Sequence, residues 1–163
     1  MAGYALSYLG KTNDGYSVHD RPNSHIHTEN GITTDLIKSA LKRINTCGAP
    51  FIKCEISFAH TIGYTHCVET TPQDEIVMVY RKGRAGETPM VKNRLPEPSN
   101  ILTVIIKKTG KHYTLITAFI GGGSLKEPWD KSIRTSEEYL RCTEYWNTHA
   151  LIYNPDLVDL DRN

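Results

Sequence analysis

Residues 100–120 read NILTVIIKKTGKHYTLITAFI and contain two runs of strand-forming residues, 100–108 and 112–120, joined by Thr-Gly-Lys. Val, Ile, Thr, Tyr and Phe favour strands, and a short connection containing glycine is the usual signal of a β-hairpin. The second run carries Leu115 and Phe119, and this apolar content is typical of a largely buried central strand. The segment therefore predicts an antiparallel hairpin within a larger sheet.

Further strand-forming runs precede this hairpin, at 51–58, 64–70, 75–81 and 88–94. The last two are separated by the glycine-containing sequence KGRAGE, which is typical of a turn. We therefore expect them to form a second hairpin.

A helix is predicted from Thr33, in TTDLIKSALKRIN, because apolar residues recur there at helical spacing. Thr33 or Thr34 can cap its first turn, and Gly48 and Pro50 end it. A second helix is predicted over residues 135–151, TSEEYLRCTEYWNTHAL, which begins with a capping-box sequence.

Helices at either end of a run of hairpin strands indicate an α+β fold. The expected architecture is an N-terminal helix, then a twisted antiparallel sheet, then a C-terminal helix. We assign residues 31–163 to a single α+β catalytic domain, a usual domain size. Residues 1–30 are polar and broken by Gly, Asn, Asp and Pro, which predicts an N-terminal arm.

Composition narrows the class of protein. The sequence has no run of 18 apolar residues and no signal-peptide pattern, so we expect a cytoplasmic protein without a membrane partner. The four cysteines form no CxxC pair, which favours free thiols. His25 and His27 have no third ligand nearby in sequence, so a solvated pair is favoured and neither a metal nor a cofactor is expected.

A local excess of positive charge stands out on a nearly neutral chain, which has 19 Lys+Arg and 18 Asp+Glu. Between residues 81 and 94 only Glu87 is acidic, among five cations: Arg81, Lys82, Arg84, Lys92 and Arg94. Such a cluster indicates an anionic partner, such as phosphate. The alternative is a solvated strand edge on which the cations prevent unwanted pairing.

His66 lies just before this cationic segment, and it is either a core histidine or a group that transfers protons. A histidine with several cations is sufficient for RNA cleavage, because the 2′-hydroxyl of RNA attacks the adjacent phosphate. The histidine would move the proton, and Lys82 and Arg84 would stabilise charge on the phosphorane. The remaining cations would bind substrate.

Four other side chains are candidates for the site, three for substrate binding and Thr117 for a supporting catalytic role, and structural alternatives remain open. Trp129, in EPWD, could stack on a base or pack over the core. Asp130 could orient a histidine, with His149 as its partner, or cap a turn. Thr117 lies in the run 112–120 and is either a buried core hydroxyl or a supporting group at the site.

The region 65–153 resembles a ribonuclease family on several short motifs: THCV (65–68), DEIV (74–77), RKGR (81–84), VKNR (91–94), LITAFIG (115–121) and EPWD (127–130). It is similar to the barnase–EndoU–colicin–RelE-like (BECR) ribonuclease toxins of phage and bacterial type. The resemblance implies a BECR-like fold and metal-independent activity. It places catalysis on His66, phosphate contacts on the five cations and a supporting hydroxyl on Thr117.

These observations predict a metal-independent endoribonuclease that acts as a bacterial toxin or defence effector. Its partners would be RNA, either tRNA or mRNA, and an immunity or antitoxin protein. The alternative is a non-catalytic nucleic-acid or nucleotide-binding module that uses the same cations and Trp129. A protein-interaction domain with merely solvated charges is a third hypothesis.

Overall fold

The structure, a computed structural model, describes residues 8–21 and 32–163. The chain divides into two compact units, and each unit combines two separate stretches of sequence. Unit 1 is drawn from residues 1–63 and 98–123, and unit 2 from residues 64–97 and 124–163.

The strands of the described residues are β1 (Tyr8–Lys11), β2 (Ser17–His19), β3 (Phe51–Ser57), β4 (Gly63–Thr65), β5 (Cys67–Glu69), β6 (Ile76–Tyr80), β7 (Glu87–Val91), β8 (Glu97–Ser99), β9 (Ile101–Thr109), β10 (His112–Ile120) and β11 (His149–Ile152). The α-helices are α1 (Thr34–Leu41) and α2 (Ser136–Thr148), and a short 3-10 turn spans Pro155–Leu157. Both α-helices are too short to cross a membrane.

The predicted α+β fold, with an N-terminal helix before a single antiparallel sheet, is wrong. Over the described residues the chain is mainly β and forms three sheets, ordered β1-β2-β10-β9-β3, β5-β11-β7-β6 and β4-β8. Strands β1 and β2 precede α1, and two of the pairings, β2–β10 and β7–β11, are parallel. Local sequence patterns do not report such pairings, because the paired residues lie far apart in the chain.

The 100–120 hairpin is confirmed as β9 and β10 of unit 1. Its register runs from His112 opposite Thr109 to Ile120 opposite Leu102. Gly110 begins the two-residue turn at φ +66°, a left-handed conformation that suits glycine. Strand β10 is the middle strand of its sheet, as its apolar content predicted.

Helix α1 covers one face of this sheet. Thr33 caps it by accepting a hydrogen bond from the Leu36 N–H, and Ile37 and Leu41 are fully buried. They form one core with residues of β9 and β10 that include Leu102 and Tyr113. Burying each such side chain stabilises the fold by roughly 1.5–3 kcal/mol. The helix ends at Leu41, earlier than the closing signals at Gly48 and Pro50 predicted.

Part of the expected N-terminal arm is regular structure. Residues 8–21 contain β1 and β2, and β2 pairs in parallel with β10 through Val18 and Tyr113, both fully buried. His25 and His27 lie outside the described residues.

The second predicted hairpin is confirmed in unit 2, where β6 pairs with β7 from Ile76–Val91 to Tyr80–Glu87. Strand β11 lies between β5 and β7. The sequence predicted helix up to residue 151, but α2 ends at Thr148. Ala150 and Ile152 are instead buried in a strand, and an extended backbone allows this alternate burial.

Candidate functional site

A loop of unit 2 that begins at residue 124 is fixed by the two tryptophans of the chain. The indole Nε1 of Trp146, on α2, donates to the backbone oxygens of Leu125 (3.0 Å) and Lys126 (3.2 Å). The Nε1 of Trp129 donates to the backbone oxygen of Glu87, at the start of β7 (3.1 Å). Because both indole N–H groups are bonded to backbone, the planes of both rings are held in place.

An apolar cleft of about 530 Å³ opens beside this loop. Its lining is mainly aromatic and aliphatic, from Ile76 and Met78 of β6, Pro89 of β7, Trp129 of the loop, and Tyr139 and Trp146 of α2. Polar groups lie among them, including Glu87 and His149. A volume of this size is typical of small-molecule sites.

A smaller basic recess of about 240 Å³ adjoins the cleft. Its charged lining consists of Arg81, Arg84, Lys126, Glu127 and Asp130, which gives a net charge of +1. Trp129 and Trp146 line both cavities, so an apolar, aromatic surface leads directly to the cationic one.

Arg81 is held by a buried polar network in this recess. Its guanidinium forms an ion pair with Glu127 and donates to the Thr88 hydroxyl (3.0 Å). Thr88 is fully buried, and its hydroxyl lies 2.9 Å from both carboxylate oxygens of Glu127. Since Glu127 neutralises Arg81 and Lys126 forms an ion pair with Glu138, the outward positive charge of the recess comes mainly from Arg84.

The sequence suggested that Asp130 pairs with His149, but the structure gives each of them other hydrogen-bond partners. Asp130 accepts from the backbone N–H (2.8 Å) and the hydroxyl (2.7 Å) of Ser132, and these bonds lower the pKa of its carboxyl below the ordinary value. The Nδ1 of His149 lies 2.9 Å from the Tyr145 backbone oxygen, and its ring stacks on the Tyr145 ring at 3.9 Å. Asp130 therefore caps a turn, the structural alternative.

The five cations of residues 81–94 do not form one patch. Arg81 and Arg84 lie at the turn of the β6–β7 hairpin, whereas Lys92 and Arg94 follow the other end of β7. Arg81 falls opposite residue 86, so Lys92 is six residues away, or roughly 20 Å along the strand. Arg94 is engaged in ion pairs with Asp74 (3.0 Å) and Glu97.

The other predicted residues are also distributed. His66 is exposed between β4 and β5, and its backbone oxygen accepts from the Ile152 N–H (2.7 Å), at the end of the sheet where Lys92 lies. Lys82 is exposed, with its backbone N–H bonded to the Leu157 oxygen (2.9 Å). Thr117 is half-buried on β10 and belongs to unit 1.

Of the predicted site residues, the structure brings together Arg81, Arg84, Trp129 and Asp130 at the recess, with His149 in the adjoining cleft. Sequence reasoning missed Lys126, Tyr139 and Trp146. The last two lie seven residues apart in the predicted helix 135–151, a spacing that is typical of a core-facing helical stripe. One signal was present: tryptophan occurs only twice in the chain, and both copies lie at this site.

Metal ligands are not clustered in the part of the chain that the structure describes. Among residues 8–21 and 32–163, no three His, Cys, Asp or Glu side chains are placed to hold an ion. The cysteines of these residues are free thiols, as predicted. Cys54 and Cys67 lie in strands and Cys142 lies in α2.

Comparison with known proteins gives a fold similarity alone. No protein-family model and no curated protein matches the chain. The structure is similar to the crystal structure of a conserved hypothetical protein from Toxoplasma gondii ME49, with a TM-score of 0.52 and 10% sequence identity, over 77% of this chain and 86% of that chain. At this identity the similarity concerns the fold, and the BECR resemblance stays a prediction.

Proposed function

We propose that this chain binds single-stranded RNA or a free nucleotide, with a base in the apolar cleft and its phosphate in the basic recess. The observation that carries the proposal is that Trp129 and Trp146 line both cavities. A nucleotide has the same two parts, a flat apolar base and an anion, joined by a short sugar. A cytoplasmic location, where single-stranded RNA is abundant, is part of the proposal.

The cleft suits a base because its aromatic rings are oriented before any ligand enters. Stacking of a base on an aromatic side chain contributes roughly 1–3 kcal/mol and depends little on base identity. The hydrogen bonds from both indoles to backbone oxygens reduce the ordering that binding would otherwise require. The cleft would therefore accept any of the four bases.

The recess suits one phosphate group better than a long polyanion. Arg84 is exposed, and Lys126 is about half exposed in an ion pair with Glu138 (3.2 Å). An arginine binds phosphate oxygens through its planar fork, and a lysine adds a point charge. Because the net charge of the recess is only +1, we expect a shallow salt dependence, close to one phosphate contact.

RNA cleavage is the second candidate function, and it moves the proton-transfer role from His66 to His149. His149 lines the cleft, and its Nδ1 faces a carbonyl oxygen, which can only accept. The Thr148 hydroxyl also lies 3.0 Å from Nδ1. In the tautomer whose Nδ1–H donates to the Tyr145 oxygen, Nε2 is the proton acceptor that a general base requires. A toxin role, tRNA or mRNA as substrate and an immunity or antitoxin partner would accompany this candidate.

Intrinsic fluorescence tests the binding proposal directly, because Trp129 and Trp146 are the only tryptophans of the chain. We expect AMP and short oligouridine to quench it saturably, and AMP to bind more tightly than adenosine. Arg84→Ala should weaken AMP binding about tenfold and leave adenosine binding unchanged, since one charge-assisted contact is lost.

Lys82→Ala is the matched control, because Lys82 is an exposed cation two residues from Arg84 and is bonded by its backbone to Leu157. Equal losses in the two variants would indicate a general charge effect and contradict a specific recess. Absence of quenching by any nucleotide or oligonucleotide would refute the proposal.

A further inference from the structure

The charged groups of the cleft are acidic, whereas those of the adjoining recess are mainly basic. Among the described residues, the cleft is lined by two carboxylates, Glu87 and Glu127, and by no lysine or arginine. The recess holds Arg81, Arg84 and Lys126. The combined site therefore has an acidic aromatic end and a cationic end. A ligand that matches both ends carries a positive charge on a flat group and a negative charge beside it.

Glu87 supplies the unneutralised charge of the cleft. The Glu127 carboxylate is already engaged, because it forms an ion pair with Arg81 and lies 2.9 Å from the Thr88 hydroxyl. No lysine, arginine or histidine of residues 8–21 and 32–163 forms an ion pair with Glu87, whose side chain is exposed. Its carboxylate is thus available to a positively charged ligand group.

Glu87 lies beside the edge of the Trp129 ring. The Trp129 Nε1–H donates to the Glu87 backbone oxygen (3.1 Å), and an indole N–H points outward in the plane of its ring. The Glu87 side chain lines the same cleft as the ring. A flat group stacked on Trp129 would therefore have its own edge near the Glu87 carboxylate.

The aromatic rings of the cleft add to the attraction of this carboxylate for a cation. The face of a tryptophan or tyrosine ring carries negative potential, so a positive charge over it is attracted. The cleft offers three such rings, those of Trp129, Tyr139 and Trp146. A neutral base gains stacking alone, whereas a cationic base gains stacking, the cation–π attraction and the attraction of Glu87.

We infer that the cleft prefers nucleotides whose base carries a positive charge, with 7-methylguanine and 1-methyladenine as examples. The cationic base stacks on Trp129 with Glu87 at its edge, and the phosphate binds Arg84 in the recess. This inference rests on the proposed nucleotide binding and adds a preference to it, since stacking alone accepts every base. The preference depends on the charge of the base and not on which base is methylated.

Phosphocholine carries the same pair of charges, a quaternary ammonium and a phosphate, but it has no flat group. The Trp129 ring is held in one plane by its bond to the Glu87 oxygen, and a base can cover such a plane. A cleft of about 530 Å³ is also large for a trimethylammonium group. The shape of the cleft therefore favours a base over choline.

Isothermal titration calorimetry tests the preference by comparing each methylated nucleotide with its uncharged parent, 7-methyl-GMP with GMP and 1-methyl-AMP with AMP. We expect each methylated form to bind about 2- to 30-fold more tightly, the range for one cation–π contact. Glu87→Gln keeps the shape of the side chain and removes its charge, so it should lower both preferences. Phosphocholine should bind more weakly than 7-methyl-GMP.

Glu144→Gln is the matched control, because Glu144 is an exposed carboxylate of α2 that does not line the cleft. It should retain both preferences. If AMP and GMP bind but their methylated forms bind no more tightly, or if Glu87→Gln retains both preferences, the inference is overturned and the proposed nucleotide binding stands. Phosphocholine that binds more tightly than 7-methyl-GMP would also overturn the inference. If no nucleotide binds, methylated or not, the proposed function itself fails.

Discussion

The indole of Trp129 lies directly against the backbone of Gly86. A β-carbon at residue 86 would come within 2.2 Å of Cδ1 and 2.3 Å of Cγ of the ring, a separation that real atoms do not reach. Gly86 is thus the surface on which the Trp129 ring rests, and the neighbouring backbone oxygen of Glu87 accepts from its Nε1. The site depends on a residue that has no side chain.

Gly86→Ala should displace Trp129 and weaken nucleotide binding about 5- to 150-fold, the range for losing one stacked base. Titration by intrinsic fluorescence measures the loss. Gly83→Ala is the control in the same turn, because no atom lies within 4 Å of a β-carbon there, whereas its φ of +72° strains any other residue. Gly83→Ala should lower stability and retain binding. If the two variants bind alike, Trp129 is not held by Gly86.

His149→Ala should lower RNA cleavage by roughly 10²–10⁴-fold if His149 is the general base of the cleft. His66→Ala should leave cleavage unchanged, because His66 lies at the other end of the sheet. The measurement is the cleavage of labelled single-stranded RNA by purified protein in the presence of EDTA.

The two histidine variants separate three hypotheses. Loss of cleavage only in His66→Ala would restore the sequence-based assignment of the catalytic residue. If the parent chain binds RNA and leaves it intact, this outcome would support the non-catalytic binding module and exclude the endoribonuclease.

Glu127→Ala should destabilise unit 2 by about 2–4 kcal/mol, because it leaves the Arg81 guanidinium and the buried Thr88 hydroxyl without their shared acceptor. Urea unfolding followed by tryptophan fluorescence reports on this unit, which contains both tryptophans. Glu137→Ala is the control, since the Glu137–Arg141 pair is exposed and should contribute less than about 0.5 kcal/mol. Equal midpoints would contradict a structural role for the Arg81–Glu127 pair.

The Asp14 carboxylate should make the stability of unit 1 depend on pH in the acidic range. Desolvation opposes ionisation, but the hydrogen bonds from Thr12, Thr46 and Cys47 outweigh it and hold the pKa of Asp14 well below its ordinary value of 3.8. A carboxyl whose pKa is lower in the folded state stabilises that state above its unfolded pKa. The contribution is lost as pH falls from about 4 towards the folded pKa.

Asp14→Asn should therefore lower the free energy of unfolding at neutral pH, and the difference from the parent chain should shrink as pH falls below about 4. Unfolding curves followed by circular dichroism at several pH values measure this. Asp35→Asn, at an exposed carboxylate of the same unit, is the control. A difference that stays constant over this pH range would contradict the role of the Asp14 carboxylate.

Local patterns were sufficient to predict most of the individual elements. The hairpin at 100–120, the hairpin of β6 and β7, and the starts of both helices follow from residues close together in sequence. The sequence left two candidates for each helix cap, Thr33 or Thr34 and Thr135 or Ser136, and the structure uses Thr33 and Thr135. The site was less predictable. Trp129 and Arg84 were both candidates for one predicted site, and both line the recess, whereas Lys92 and Arg94 were expected at the same site and lie at the other end of the hairpin.

By itself, the sequence determined where strands and helices form, because side-chain periodicity, capping groups and glycine turns act over a few residues. Only the tertiary structure decided which strands become neighbours: β2 beside β10, and β11 between β5 and β7. It also decided that Trp129 and Trp146, which are 17 positions apart in the chain, line the same two cavities. Such pairings depend on burial and main-chain bonding between distant segments, which no local pattern encodes.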